Sequence, residues 1–178
     1  MGRVAVRAAV TSYLQAQVAS GYIPYVGTVF AGRPMVINER DYVVNMLGQV
    51  VASANGSAAV LVVNLLSDER TRRADTGRGA QNDTEIHTVA IELFFGSTKG
   101  DAVAGQDDYD AIVDAIVQSI RNDATLGAPL VIWSAGEYTP PGVRHEQREP
   151  TTTADGLTLS IPGVVQFEAW EWIAGETT

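Results

Sequence analysis

The segment DDYDAIVDAIVQSIRND, residues 107–123, is the clearest amphipathic helix in the chain. Its apolar residues recur with the spacing of one helical face, and polar residues separate them. These apolar residues are Tyr109, Ile112, Val113, Ile116, Val117 and Ile120. Asp107, Asp108 and Asp110 are predicted to lie in the first turn, where carboxylates cap free amide groups and face the positive end of the helix dipole. The sequence therefore predicts a helix that packs one face on a sheet.

A second helix and two buried strands precede this segment. A helix is predicted over residues 3–19, where apolar residues again share one face and Ser20-Gly21 supplies a stop. The run at 58–66 is almost wholly apolar, as expected of a central strand covered on both faces. Residues 85–95 alternate in polarity and predict a second strand with one wetter face.

The C-terminal part of the chain is predicted to be rich in strands. PLVIWSA at 129–135 forms a short strand, and LTLSI at 157–161 and VVQFEAWEWI at 164–173 form two more. Pro162-Gly163 is predicted to make a type II turn or a kink between the last two. With a short strand at 25–30, the fold class is α/β in the α+β sense: a mixed, mostly antiparallel sheet of four to five strands with two amphipathic helices packed on it.

Composition limits the function. A chain of 178 residues is expected to form a single domain, 1–178, around one core. Its net charge of −9 disfavours a general DNA-binding role. Without cysteine it can have neither a disulfide nor a thiolate metal site. The longest apolar run is far shorter than the roughly 20 residues of a membrane helix, and no export signal is apparent, so we expect a soluble protein.

Positive charge is concentrated in RTRRADTGRGAQNDTE, residues 70–85. Gly77-Arg78-Gly79 lacks the third glycine of a dinucleotide fingerprint and precedes a strand pattern, and no P-loop motif occurs. The sequence instead predicts a long, polar, flexible loop at about 70–84 between two neighbouring strands. Such a loop is either poorly ordered or becomes ordered on a macromolecular partner.

Catalytic and metal motifs are incomplete. The segment beginning at His145 lacks the second histidine of the helical zinc motif, and no nucleophile elbow accompanies either of the two histidines. His87 is interpreted as a strand-end residue. The aspartates at 107, 108, 110 and 114 could hold a divalent cation at a subunit contact, but helix capping explains most of them. The sequence thus predicts no enzyme, no catalytic residue, no cofactor and no metal site.

Two tryptophans near the C-terminus leave a choice open. Trp170 and Trp172 share one face of the last predicted strand, beside Glu168. They could anchor an interface with another molecule, or they could be buried against the chain's own helices.

The order of elements resembles that of the tail terminator (tail completion) proteins of long-tailed bacteriophages. It runs from an N-terminal helix through an apolar strand, a polar loop and a second strand to an acidic-start helix and a C-terminal strand. The most family-like piece is DYDAIVDAIVQSIRNDATLGAPLV, residues 108–131, in which the helix is followed by Thr-Leu-Gly and a return strand. The segment at 142–156 departs from the family pattern, because it is longer and more charged than the family minimum.

The resemblance implies a structural virion protein. Such a subunit assembles as a ring, usually a hexamer, on the end of the tail tube, stops tube extension and presents a surface to the head connector. Its implied location is the head-proximal end of the virion tail, and the host cytoplasm during assembly. DNA could pass through the ring without being specifically bound, and an acidic chain suits such a lumen. The resemblance implies no membrane partner.

Under this resemblance the arginines of the polar loop become candidate interface residues. Arg70, Arg72, Arg73 and Arg78 would meet a protein partner, either the adjacent subunit or the tail-tube protein. Two alternatives stay open. One is a head–tail connector (neck) protein adjoining the portal. The other is a small metal-dependent hydrolase that uses the aspartates near Asp107 together with His145.

Overall fold

A computed structural model describes residues 3–32, 56–73, 82–99, 101–123, 125–127, 132–134, 142–152 and 159–173. Two helices lie in this part of the chain, α1 (Arg3–Ala19) and α2 (Ala102–Asn122). The strands are β1 (Val26–Ala31), β2 (Ser57–Arg73), β3 (Asn82–Ser97), β4 (Ile132–Ser134), β5 (Arg144–Gln147), β6 (Thr151–Thr152) and β7 (Leu159–Ile173). Within the described residues, no helix has the length and apolarity needed to cross a membrane.

The strands form one mixed sheet in the order β1-β2-β3-β7-β4. β1 pairs with β2 in parallel, and the other pairs are antiparallel. β5 and β6 also pair with β7. Because β3 occupies one edge of β7 over the whole length of β7, the strands β4, β5 and β6 must share the other edge. The predicted α+β class is confirmed. The described strands number seven rather than four to five, since three short strands occupy one edge in succession.

Both helices pack on the same face of the sheet. Alternate residues of β3 point to this face, namely Val89, Ile91, Leu93 and Phe95. Side chains of α1 and α2 join them in one buried cluster, including Leu14, Tyr109, Ile112 and Ile116. The predicted helix over 3–19 is confirmed, and so is the buried apolar face of α2. Residues 58–63 are buried on both faces of the sheet, as predicted for a central strand.

The predicted start of α2 was wrong. The helix begins at Ala102, and its N-cap is Asp101, whose carboxylate accepts a hydrogen bond of 2.9 Å from the Val103 amide. Asp107 and Asp108 therefore lie beyond the first turn and do not cap the helix. The apolar pattern of the helix begins only at Tyr109, so the turns before it do not show that pattern. The signal for the true start is Asp101, a residue type that caps helices by a local hydrogen bond.

The turn or kink predicted at Pro162-Gly163 was also wrong. β7 runs without interruption past both residues, and Gly163 lies opposite Leu93 of β3. A Cβ atom at Gly163 would collide with the hydroxyl of Tyr109 on α2. The glycine is required here because α2 packs closely on β7, and this tertiary contact overrides the local turn preference of the Pro-Gly pair.

We predict that Gly163→Ala destabilises the protein by about 1–3 kcal/mol, because the added methyl group overpacks the contact with Tyr109. The matched background is Tyr109→Phe, in which the colliding hydroxyl is absent. Urea unfolding of the four members of this double-mutant cycle should show a smaller cost for Gly163→Ala in the Phe background. A stabilising Gly163→Ala, as β-propensity alone would give, would contradict the close approach of helix and strand.

Candidate functional site on the long β-ribbon

β2 and β3 extend well beyond the part of the sheet that β1 covers. The last β2 residue in register with β1 is Val63, so β2 continues for ten residues, 64–73, with β3 as its only paired strand in the described part of the chain. A register shift between Leu65 and Ser67 marks the start of this extension. At about 3.3 Å per residue it is roughly 33 Å long. We call residues 64–73 and 82–90 the ribbon.

Three of the four candidate arginines lie in the paired backbone of the ribbon. Arg70, Arg72 and Arg73 are register partners of Glu85, Asp83 and Asn82. The predicted loop at about 70–84 was therefore too long, because residues 70–73 and 82–84 belong to β2 and β3. Antiparallel backbone hydrogen bonds form regardless of side-chain polarity, and opposite charges in cross-strand register favour the pairing.

Arg78 and the rest of 74–81 lie outside the described residues. The structure thus brings three predicted interface residues onto one strand and leaves the fourth without a structural description.

The middle of the ribbon carries a group of ionisable residues that the sequence did not reveal. Glu85 lies directly opposite Glu171 in the pairing of β3 with β7, and His87 follows two residues later on the same face. His87 Nε2 is 3.2 Å from Glu171 Oε2, and both side chains are fully buried. One possible ligand atom from each of the three residues lies within 4.8 Å of the other two.

The interpretation of His87 as a strand-end residue was wrong. β3 starts five residues earlier, at Asn82, and His87 lies in its interior on the helix-facing side. The parity of the pattern Glu85, His87, Val89 could have indicated this position. The partner Glu171 could not be found from sequence, because the pairing of β3 with β7 joins residues more than 80 positions apart.

A second polar group anchors α2 to the sheet. The carboxylate of Asp108 accepts hydrogen bonds from Ser57 Oγ at 2.6 Å and from Lys99 Nζ at 2.6 Å. Ser57 Oγ gives its one proton to Asp108, and it also lies 3.0 Å from Ser97 Oγ, from which it can accept a hydrogen bond. Burial raises the pKa of Asp108, but hydrogen bonds from Lys99, Ser57 and Tyr25 outweigh it and hold the pKa below its usual value. The chain's only lysine therefore contacts a carboxylate inside the fold.

His145 lies on β5 and faces α2. The Tyr109 hydroxyl and His145 Nε2 are 2.8 Å apart. Burial lowers the pKa of His145, and Asp110 and Asp114 partly oppose this shift. Burial also raises the pKa of Tyr109 to about 12. At neutral pH the tyrosine is therefore protonated and can donate to a neutral imidazole.

The aspartates of α2 do not converge on a shared point in the structure. Asp108 is directed inward, whereas Asp107, Asp110 and Asp114 are exposed. Among the described residues, the only group of three carboxylate or histidine side chains with metal-ligand spacing is the one at Glu85, His87 and Glu171. The cation site considered for the α2 aspartates is therefore not assembled within the described part of one chain.

Trp170 lies on the sheet face opposite α1 and α2, since its neighbours Ala169 and Glu171 point toward the helix side. Its indole nitrogen donates to Glu168 Oε2 at 3.2 Å, and the side chain is half-buried. The sequence left open whether Trp170 is buried against the helices of the chain. For α1 and α2 that alternative is wrong. The side chain of Trp172 lies outside the described residues.

No protein-family model matches the chain, and no curated protein matches it. Among solved structures, the chain is similar to a chain from the "Virion of native gene transfer agent (GTA) particle". The identity is 17%, the TM-score is 0.36, and the match covers 98% of this chain and 100% of the other. A likeness of this degree carries no inference about fold or function.

We predict that Asp108→Asn lowers the free energy of unfolding by about 1–3 kcal/mol at pH 7, because a charge-assisted, buried hydrogen-bonded group is replaced. The folded-state pKa of Asp108 lies below its unfolded value. Its stabilising contribution is therefore present above the unfolded pKa of about 3.9 and is lost as pH falls through the folded value. The loss caused by the variant should shrink accordingly below about pH 4.

The matched control is Asp107→Asn, which changes the same charge at the exposed neighbouring position. Urea unfolding at pH 7 and at about pH 3 measures both variants. Equal destabilisation by the two substitutions would contradict the role assigned to Asp108.

Proposed function

We propose that this protein is a structural virion subunit, a tail terminator that forms a ring on the end of a phage tail tube. The ring stops tube extension and offers a surface for head attachment, at the head-proximal end of the tail. Assembly would take place in the host cytoplasm. The observation that carries the proposal is the ribbon, a long charged extension of the sheet beyond β1. Such an extension suits contact with another protein.

The order of elements supports the proposal. The elements of the chain follow the order that the resemblance to tail terminator proteins implies: an N-terminal helix, an apolar strand, a second strand, a helix, a short return strand and a C-terminal strand. The segment at 142–156, which is longer and more charged than the family minimum, contains β5 and β6, and both strands pair with β7. The extra charged residues therefore add to the edge of the sheet and leave its central strand order intact.

Charge suggests how subunits could meet. The chain has a net charge of −9, yet four of its twelve basic residues lie between 70 and 78. On α2, by contrast, Asp107, Asp110 and Asp114 are exposed. A basic segment and an acidic surface on one chain can pair between successive copies. Contacts between two different surfaces are head-to-tail, and they generate a ring when the rotation closes.

We expect the ring contact to need the arginines of the ribbon and its connection. When Arg72, Arg73 and Arg78 are changed together to Gln, the protein concentration needed for half-maximal ring formation should rise at least about tenfold. The reason is that loss of complementary charge weakens association. Native mass spectrometry of the purified protein, alone and with tail-tube protein, measures the assembled fraction. The matched control changes Arg121, Arg144 and Arg148 to Gln, which alters net charge equally.

Charge exchange tests the pairing directly. Arg72→Asp with Arg73→Asp should weaken the ring, and Asp110→Arg with Asp114→Arg should restore it in the same chain. Unaltered assembly in the arginine variants would remove the ribbon from the mechanism. If the arginine variants still form rings but no longer cap tubes, the arginines contact the tail-tube protein and not the adjacent subunit. A protein that ignores tubes and binds portal rings would be a head–tail connector.

A further inference from the structure

Glu85, His87 and Glu171, in the middle of the ribbon, have the composition of a cation site. Two carboxylates and one imidazole come from two adjacent strands, and their possible ligand atoms lie within 4.8 Å of one another. These donor types are the ones that zinc accepts alongside thiolates. The group lies at the end of the apolar core, where Ala169 and Phe167 are its buried neighbours on β7.

The separation of His87 and Glu171 fits shared coordination. Zinc binds histidine nitrogen and carboxylate oxygen at about 2.0–2.2 Å, so two such ligands at a tetrahedral angle lie about 3.4 Å apart. Nε2 of His87 and Oε2 of Glu171 are 3.2 Å apart. A cation could enter between these two atoms with little movement of either strand, and Glu85 would complete the set by a small side-chain shift.

The charges of this group are compatible with a cation. Glu85 and Glu171 are direct cross-strand neighbours, so two carboxylates face the same point between β3 and β7. Glu171 is fully buried, and Glu85 is half-buried. A divalent ion would neutralise both carboxylates while using the imidazole in its neutral form.

We propose that Glu85, His87 and Glu171 bind a zinc-type divalent cation that fastens β3 to β7 in the middle of the ribbon. The ion would bridge two strands that already pair along the ribbon, and so would add a side-chain link to their backbone pairing. Binding is a property of the single chain, so it can be tested apart from ring formation and tube capping.

Zn²⁺ is the probe, added to tag-free protein that has been treated with EDTA and dialysed. Calorimetry should show that one Zn²⁺ binds per chain. His87→Gln or Glu171→Gln should weaken zinc binding at least about tenfold, because removing a metal ligand costs at least as much affinity as removing a residue that only orients a ligand. His145→Gln is the matched control and should bind as the unaltered chain does.

The two histidines of the chain allow a test that does not depend on the folding of the site variants. In His145→Gln, His87 is the remaining histidine, and its imidazole nitrogen signals in NMR should shift on addition of one equivalent of Zn²⁺. Signals that do not move would overturn the proposal. So would zinc binding that persists unchanged in His87→Gln.

A third result would overturn it in favour of an internal ion pair. Arg70 of β2 is the register partner of Glu85. If Zn²⁺ does not bind, and Arg70→Gln lowers the melting temperature as much as Glu171→Gln does, the positive charge comes from β2 and no metal is involved.

Discussion

The full-length pairing of β3 with both β2 and β7 is the constraint on which the rest of the structure depends. Once β3 has two partners, every residue along it is assigned to one face or the other by the period of two. The face with Val89 to Phe95 receives both helices and becomes the core. A register slip of one residue would move this whole set to the opposite face, so the pairing and the core specify each other.

The same constraint places polar groups where they are costly. The core face continues past Val89 into His87 and Glu85, and the pairing with β7 brings Glu171 beside them. Burying ionisable groups is unfavourable unless charge and hydrogen bonds are matched. The transition from an apolar to an ionisable row along one face therefore lies within the ribbon and marks the place where the sheet stops serving only the core.

α2 is held to the sheet by interactions that differ along its length. Its middle buries apolar side chains, whereas Asp108 is fixed by Ser57 and Lys99 at the beginning of β2 and just beyond the end of β3. Tyr109 reaches β5 and requires Gly163 beneath it. A polar anchor and a close contact permitted by glycine set the position of the helix, since apolar packing alone would tolerate sliding. The exposed aspartates of α2 are thereby left on the outer side.

The sequence by itself determined the two amphipathic faces, the burial of residues 58–63 and the α+β class, because these follow from the local period of apolar residues. It also identified the concentration of arginines between 70 and 78. Only the tertiary structure decided that Pro162-Gly163 continues a strand and that Arg70, Arg72 and Arg73 lie in paired backbone. Each of these depends on partners distant along the chain. The proximity of His87 to Glu171 is of the same kind, since the register between β3 and β7 is fixed by packing and hydrogen bonding across the whole sheet.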